Sequence, residues 1–430
     1  MSARYFGMTI LDSLHRGVAV EVWSKMLDPE SAPRLDQAFG AFDMFVLHDQ
    51  PYDLNFIDRW LCETAVSFRH LHHSYNEMST RAKALALVRW FRDELGFRGI
   101  QRENDYRDFR NCMIGHAISE PDHASLPLLS SAIFSALATR LGLDAACCNA
   151  PIHVHAVVSA PPGQDLDSNP RDDDAGLDQM YLDPYTSDQE VRHEDLERRR
   201  AAYVAAAGAQ HSLEAFYDGA PAHALVQRMG NNIKASYSVA KRLPEDSPQA
   251  ASLKRLRCGD AEQNLEACHY SVLWANLLAV PVSSPEWGVG LEFFLNRFAL
   301  QWSEDHWIVE KYLGPLYDVF VARPEQAARP RVGWENVREI LKMLANLDKR
   351  QPVLSRRYTE EIRERVWYRI GQVFRHKRYG YVGIINGWAA AGLGGLPTPH
   401  FVSPEDESGQ EGEWDGTRFK GPGRTYYTCL

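Results

Sequence analysis

At 430 residues the chain exceeds what one ordinary core accommodates, so roughly two or three domains are expected. Apolar residues make up 45% and charged residues 24%, proportions of a folded globular protein that exclude a largely disordered one. The net charge of −10 opposes unaided attraction to nucleic acid or an anionic membrane, so a DNA-binding role requires a local basic patch.

The cysteines number seven, Cys62, Cys112, Cys147, Cys148, Cys258, Cys268 and Cys429, with no CxxC pair. That count suits neither a disulfide framework nor a zinc ribbon, and reduced, buried thiols in a cytoplasmic or nuclear protein are expected. Arg4, Asp12 and Arg16 break the N-terminal stretch, which is therefore no signal peptide. The longest apolar run, Ala267 to Val282, is interrupted by His269, Tyr270, Ser271 and Asn276; it reads as a buried helix, and no membrane association is expected.

In chain order, residues 1–80 read as helices. Met8, Leu11, Leu14, Val18 and Val22 keep near-helical spacing, and Phe56, Trp60, Cys62 and Val66 repeat it. His70, His72 and His73 cannot share one helix face, so a solvated helix end is expected there rather than a metal cluster. A further helix spans Met78 to Leu95 and stops at Gly96. Next comes a helix with Ser125 as its N-cap, Pro127 in its first turn and Gly142 after its last. Ala145 to Ser159 then reads as one strand carrying His153 and His155. An acidic loop, Asp165 to Asp178, leads into the short strand Met180 to Leu182, closed by Asp183-Pro184. Asp172, Asp173 and Asp174 read as a solvated loop tip. Ser187 and Glu190 form a capping box that should open the next helix. Ala250 to Leu347 is again helical. Arg369 to His376 and Tyr379 to Asn386 form a hairpin pattern, Thr425 to Leu430 a further strand, and Pro397 to Asp415 a mobile loop.

The order helix from Ser125, strand with His155, strand ending at Asp183 resembles the transglutaminase-like core. There a cysteine in the helix's first turn is the nucleophile, a histidine on the next strand its base, and an aspartate on the following strand the orienting group. The resemblance implies that His155 and Asp183 are the second and third members. No thiol occupies Ser125-Leu126-Pro127-Leu128, and a serine hydroxyl at Ser125 is a far weaker nucleophile near neutral pH. A retained fold without catalysis is expected, with Ser125, His155 and Asp183 as the remnant triad positions. His153, His155 and Asp183 also form a two-histidine, one-carboxylate set of the kind that binds metals; with one histidine accounted for by the triad remnant, no metal and no cofactor are expected.

Asn104-Asp105-Tyr106-Arg107-Asp108, Arg140-Leu141-Gly142-Leu143 and His153-Val154-His155-Ala156-Val157 are similar to the cysteine-lacking transglutaminase-like segment of certain F-box proteins. Tyr5 to Trp23 resembles the helix after their F-box, and Tyr368 to Gly383 resembles the start of their YccV/HspQ-like, hemimethylated-DNA-binding domain. Only Met1 to Arg4 precede Tyr5, so the F-box is expected to be absent, and Thr425 to Leu430 matches a middle strand, so the C-terminal barrel is expected to be incomplete. The resemblance implies a non-catalytic adaptor or substrate-recognition subunit for a protein substrate in a ubiquitin ligase. A Skp1-like partner is implied only where an F-box exists in the full-length product.

From Arg356 to Tyr381, Lys and Arg outnumber Glu and alternate with aromatics. Arg375, His376, Lys377, Arg378, Tyr379 and Tyr381 are the candidate residues for contacting DNA or a partner, through phosphate tracking and stacking. The competing reading is the solvated outer face of a small barrel, and any DNA binding is expected to be weak. A third possibility is cryptic acyl transfer using Ser125 or a recruited cysteine. The expected fold is α+β: a helical region (1–80), a transglutaminase-like core (81–245), a second helical region (246–352) and a small, incomplete β-barrel (366–430).

Overall fold

The computed structural model describes residues 2–46, 53–100, 106–151, 153–172, 176–207, 217–244, 247–248, 261–327, 336–348, 368–375, 380, 382–390 and 425–429. The chain divides into two compact units, Leu11–Arg331 and a second built from Met1–Ile10 with Val332–Leu430. The architecture is mixed and mainly helical, with two small antiparallel sheets. Among the described residues no helix is long and apolar enough to cross a membrane.

From Leu11 on, α1 (Ser2–Ser24) belongs to the larger unit, where it is followed by α2 (Leu35–Val46), α3 (Leu54–Leu71), α4 (Thr80–Asp93), a short helix α5 (Ile114–Ser119) and the central α6 (Pro127–Arg140). Helix α1 forms as its spacing predicts, but Leu11, Leu14 and Val18 are exposed. The opposite face is buried, with Ser13, Arg16, Val20 and Trp23 inside. Arg16 tolerates burial because its guanidinium forks onto Asp305, at 2.6 Å from Nε and 2.8 Å from Nη2, and lies over the Trp302 ring. In α3 likewise Ile57, Leu61, Ala65 and Phe68 are buried, while Cys62 and Val66 face solvent. His70 and His73 are exposed beside the C-cap His72, whose Nδ1 lies 3.1 Å from the Phe68 carbonyl, as expected of a helix end.

Helix α6 is apolar on nearly every side and therefore central: it packs on α2, α3, α4 and the sheet. Pro127 sits in its first turn, and Gly142, at φ +87°, follows its C-cap Leu141. The N-cap is Leu126 rather than Ser125, and no side chain caps the helix. Ser125 points inward instead, its hydroxyl 2.8 Å from Ser130 Oγ.

The sheet is β1 (Asp144–Cys147), β2 (Ala156–Ser159) and β3 (Gln179–Leu182), all antiparallel. The single strand expected over Ala145 to Ser159 is thus a hairpin, with Cys147 opposite Ala156 and a loop between them. Pro151 explains the break, since it cannot donate to a ladder. The capping box at Ser187 and Glu190 does not form either. Glu190 bridges to Leu182 and pairs with Arg81, and helix α7 starts only at His193. Helices α8 (Ala222–Ala240), α9 (Ala261–Ala279) and α10 (Pro285–Gln301) complete the core, α9 packing on α8, α10 and α2.

In the smaller unit α11 (Val337–Asp348) precedes a second three-stranded sheet, β4 (Val373–Arg375), β5 (Val382–Ala390) and β6 (Thr425–Cys429), in that order. Val373 pairs with Ile384 and Arg375 with Val382, so the hairpin forms where its alternation predicts. Strand β6 lies on the other edge of β5, with a bulge between Ile385 and Gly387. The expected loop Pro397 to Asp415 lies outside the described residues.

Candidate functional site

Three chain segments meet beyond the ends of β2 and β3. The ladder ends at Ala156 opposite Leu182, which sets His155 and Asp183 as the next positions on adjacent strands. Asp183 is buried, and the turn that follows holds its carboxylate: Thr186 Oγ1 donates to Oδ2 at 2.6 Å and Thr186 N–H to Oδ1 at 3.3 Å. His153, rather than His155, reaches the carboxylate, with Nε2 2.8 Å from Oδ2. The approach is off the N–H direction, and Nε2, though buried, makes no well-formed hydrogen bond. Burial alone would raise the Asp183 pKa; His153 and the Thr186 hydroxyl outweigh it and hold the carboxyl below its ordinary range.

His155 is committed elsewhere. Its Nε2 lies 3.1 Å from Arg199 Nη1, and its Nδ1 lies 3.9 Å from Cys148 Sγ. A guanidinium only donates, so Nε2 is the acceptor and the ring proton sits on Nδ1, facing the sulfur. The backbone N–H of His155 also donates to that sulfur, at 3.3 Å. The hairpin turns Cys148 back against His155. Burial, reinforced by the neighbouring His153, lowers the His155 pKa to about 4, so the ring is neutral at physiological pH. Burial also raises the pKa of the fully enclosed Cys148 thiol.

The loop is braced from two sides. Arg228 of α8 donates to Asn149 Oδ1 at 3.1 Å, to the Pro151 carbonyl at 3.2 Å and to the Ala150 carbonyl. Ser131, in the second turn of α6, donates to the Val154 carbonyl between the two histidines at 3.4 Å. Ser125 lies six residues earlier, just ahead of the helix, fully buried, with its hydroxyl committed to Ser130 Oγ and the His123 carbonyl. It is not a serine in contact with a base. Of the three remnant positions, Asp183 follows β3, His155 yields the place beside it to His153, and Ser125 faces inward. Sequence reasoning missed Arg199 and Arg228, whose partners lie 44 and 77 to 79 positions away.

In the smaller unit Arg375 is exposed on β4, while His376, Lys377, Arg378, Tyr379 and Tyr381 lie outside the described residues. Asp173, Asp174 and Cys258 also lie outside them, and Asp172 is exposed.

Residues 59–231 match the family model of the transglutaminase-like superfamily, a span that runs from α3 through α8 and contains α6, both histidines and Asp183. Residues 366–393 match the model of the YccV-like hemimethylated DNA-binding protein, a span that includes β4 and β5. The chain therefore carries a transglutaminase-like domain and a YccV-like segment. No curated protein and no solved structure matches it.

Proposed function

We propose that this chain is a non-catalytic recognition protein whose transglutaminase-like domain serves as a binding scaffold for a protein substrate. One observation carries this reading. Among the described residues, the sulfur in contact with His155 is that of Cys148, a buried thiol facing the protonated nitrogen of that ring, and the start of α6 offers Leu126, Pro127 and Leu128 where a thiol would be needed. A ring nitrogen that already carries its proton toward the sulfur cannot take the thiol's proton. The resemblance to F-box proteins supports adaptor work in ubiquitin-dependent degradation, with a Skp1-like subunit as the link in the full-length gene product.

The match of residues 366–393 favours a second reading, DNA binding through the YccV-like segment. The net charge of −10 argues against tight binding at physiological salt.

Affinity purification of the full-length product, with quantitative mass spectrometry, tests both readings. Recovery of a Skp1-like subunit together with proteins that accumulate when the gene is removed supports the adaptor. Nuclease-sensitive recovery of DNA without those proteins supports the second reading. Amine incorporation into a peptide substrate, lost in Cys148→Ser, would overturn the non-catalytic assignment.

A further inference from the structure

His153, His155 and Asp183 each place a potential ligand atom within 4.8 Å of the other two. Hydrogen bonds brace the neighbouring groups: Arg228 to the Pro151 carbonyl, Ser131 to the Val154 carbonyl and Thr186 to the Asp183 carboxylate. The contact between His153 Nε2 and Asp183 Oδ2 is unusual for a histidine–aspartate pair: 2.8 Å apart, yet outside hydrogen-bond alignment. Two donor atoms bound side by side to one metal at 2.0–2.1 Å stand roughly 2.9–3.4 Å apart, close to the separation seen. A shared cation is compatible with the spacing of this pair.

His155 contributes in the same sense. Its Nε2 lone pair faces a cation already, the guanidinium of Arg199, while its other ring nitrogen carries the proton and faces Cys148. That is the tautomer a metal-bound imidazole needs, with the distal N–H held by an outer partner. Arg199 is exposed on α7 and so free to swing away, whereas His155 and Asp183 behind it are buried and His153 is half-buried.

We propose that His153, His155 and Asp183 bind one divalent transition-metal ion, and that Arg199 occupies the cation's place when none is bound. Two imidazoles and a carboxylate favour zinc or iron(II) over calcium or magnesium. Three protein ligands leave a further position open, where a water or a carboxylate from a bound partner would complete the shell.

The test uses the full chain, stripped with a chelator and titrated calorimetrically with zinc, then with cobalt(II) as an optical probe. One equivalent is expected, without the intense near-ultraviolet band of a thiolate ligand. His153→Ala and Asp183→Asn should each weaken zinc binding by roughly a hundredfold or more. Arg199→Ala should tighten it, by roughly fivefold or more, because a competing positive charge is gone. This last variant alters an exposed side chain, so its result does not hinge on a damaged core. No saturable uptake by either the wild type or Arg199→Ala would overturn the proposal. Uptake unchanged in His153→Ala and Asp183→Asn, or uptake lost in Cys62→Ser, would overturn it equally.

Discussion

Arg199 Nη1 lies 3.1 Å from His155 Nε2, and that contact decides what His155 can do. Because arginine only donates, the imidazole must present its proton to Cys148 from the other nitrogen. The histidine and the thiol are thus adjacent but wrongly matched for proton transfer. His153 beside Asp183 is separated from any sulfur role by its own position on the loop.

Removing Cys148 should accordingly cost packing rather than function. Cys148→Ala should leave partner recovery in affinity purification unchanged and lower stability by about 1–3 kcal/mol, read from urea denaturation. Loss of partner binding with stability intact would assign the thiol a direct role.

Acidification should destabilise the larger unit in two stages. The folded pKa of His155 is about 4, below the unfolded value near 6.5, so the unfolded chain binds more protons between those limits and stability falls as pH drops through that window. The full effect for His155 is on the order of 3 kcal/mol. Burial lowers His269 to about 4 as well, so it adds to the same slope. Asp183 acts lower: its depressed pKa gives stability that is present above the unfolded value and lost as pH falls through the folded one, below about pH 4. Thermal melts from pH 7 to 4 should therefore show a slope that shrinks in His155→Gln and shrinks further when His269→Gln is added. An unchanged slope in the double variant would place the titration elsewhere.

The buried ion pair makes a sharper prediction for the opposite end of the unit. Arg16→Ala leaves Asp305 buried without its partner, whereas Arg16→Met with Asp305→Asn removes both charges. The single change should cost about 3–5 kcal/mol and the double change distinctly less. Equal losses in denaturant titrations would show that shape, not charge, governs the site.

The smaller unit's contribution to nucleic-acid binding is measurable by salt titration. Affinity for a hemimethylated duplex should be weak, falling with a log–log slope of roughly −0.9 per phosphate contacted. Arg375→Ala should reduce that slope by about one contact if this exposed side chain touches the backbone. A tight complex that persists at physiological salt and rejects fully methylated duplex would make DNA the principal partner.

Much of the frame is legible in the sequence because local chemistry encodes it. Pro127 and Gly142 bracket α6, Asp183-Pro184 closes β3, and alternation marks the hairpin of β4 and β5. The site is less legible. Period-two reasoning carries His155 toward Asp183 only while the strand continues, and Pro151 shows that it does not; that residue was the available signal for the hairpin. Ser187 and Glu190 have capping-box spacing, yet Arg81, 109 positions earlier, takes the carboxylate. The stripe of Leu11, Leu14 and Val18 suggests a buried face. The partner of Arg16, 289 positions away, draws the opposite face inward instead. Interactions of that span leave no periodic trace.

Alkylation of the native protein tests most directly the proposal that Cys148 is not an activated nucleophile. With iodoacetamide at neutral pH and peptide mass spectrometry, the exposed Cys62 should react first, while Cys148 should react appreciably only after unfolding. Modification of native Cys148 faster than Cys62, abolished by His155→Gln, would contradict the account and make the Cys148–His155 contact a working dyad.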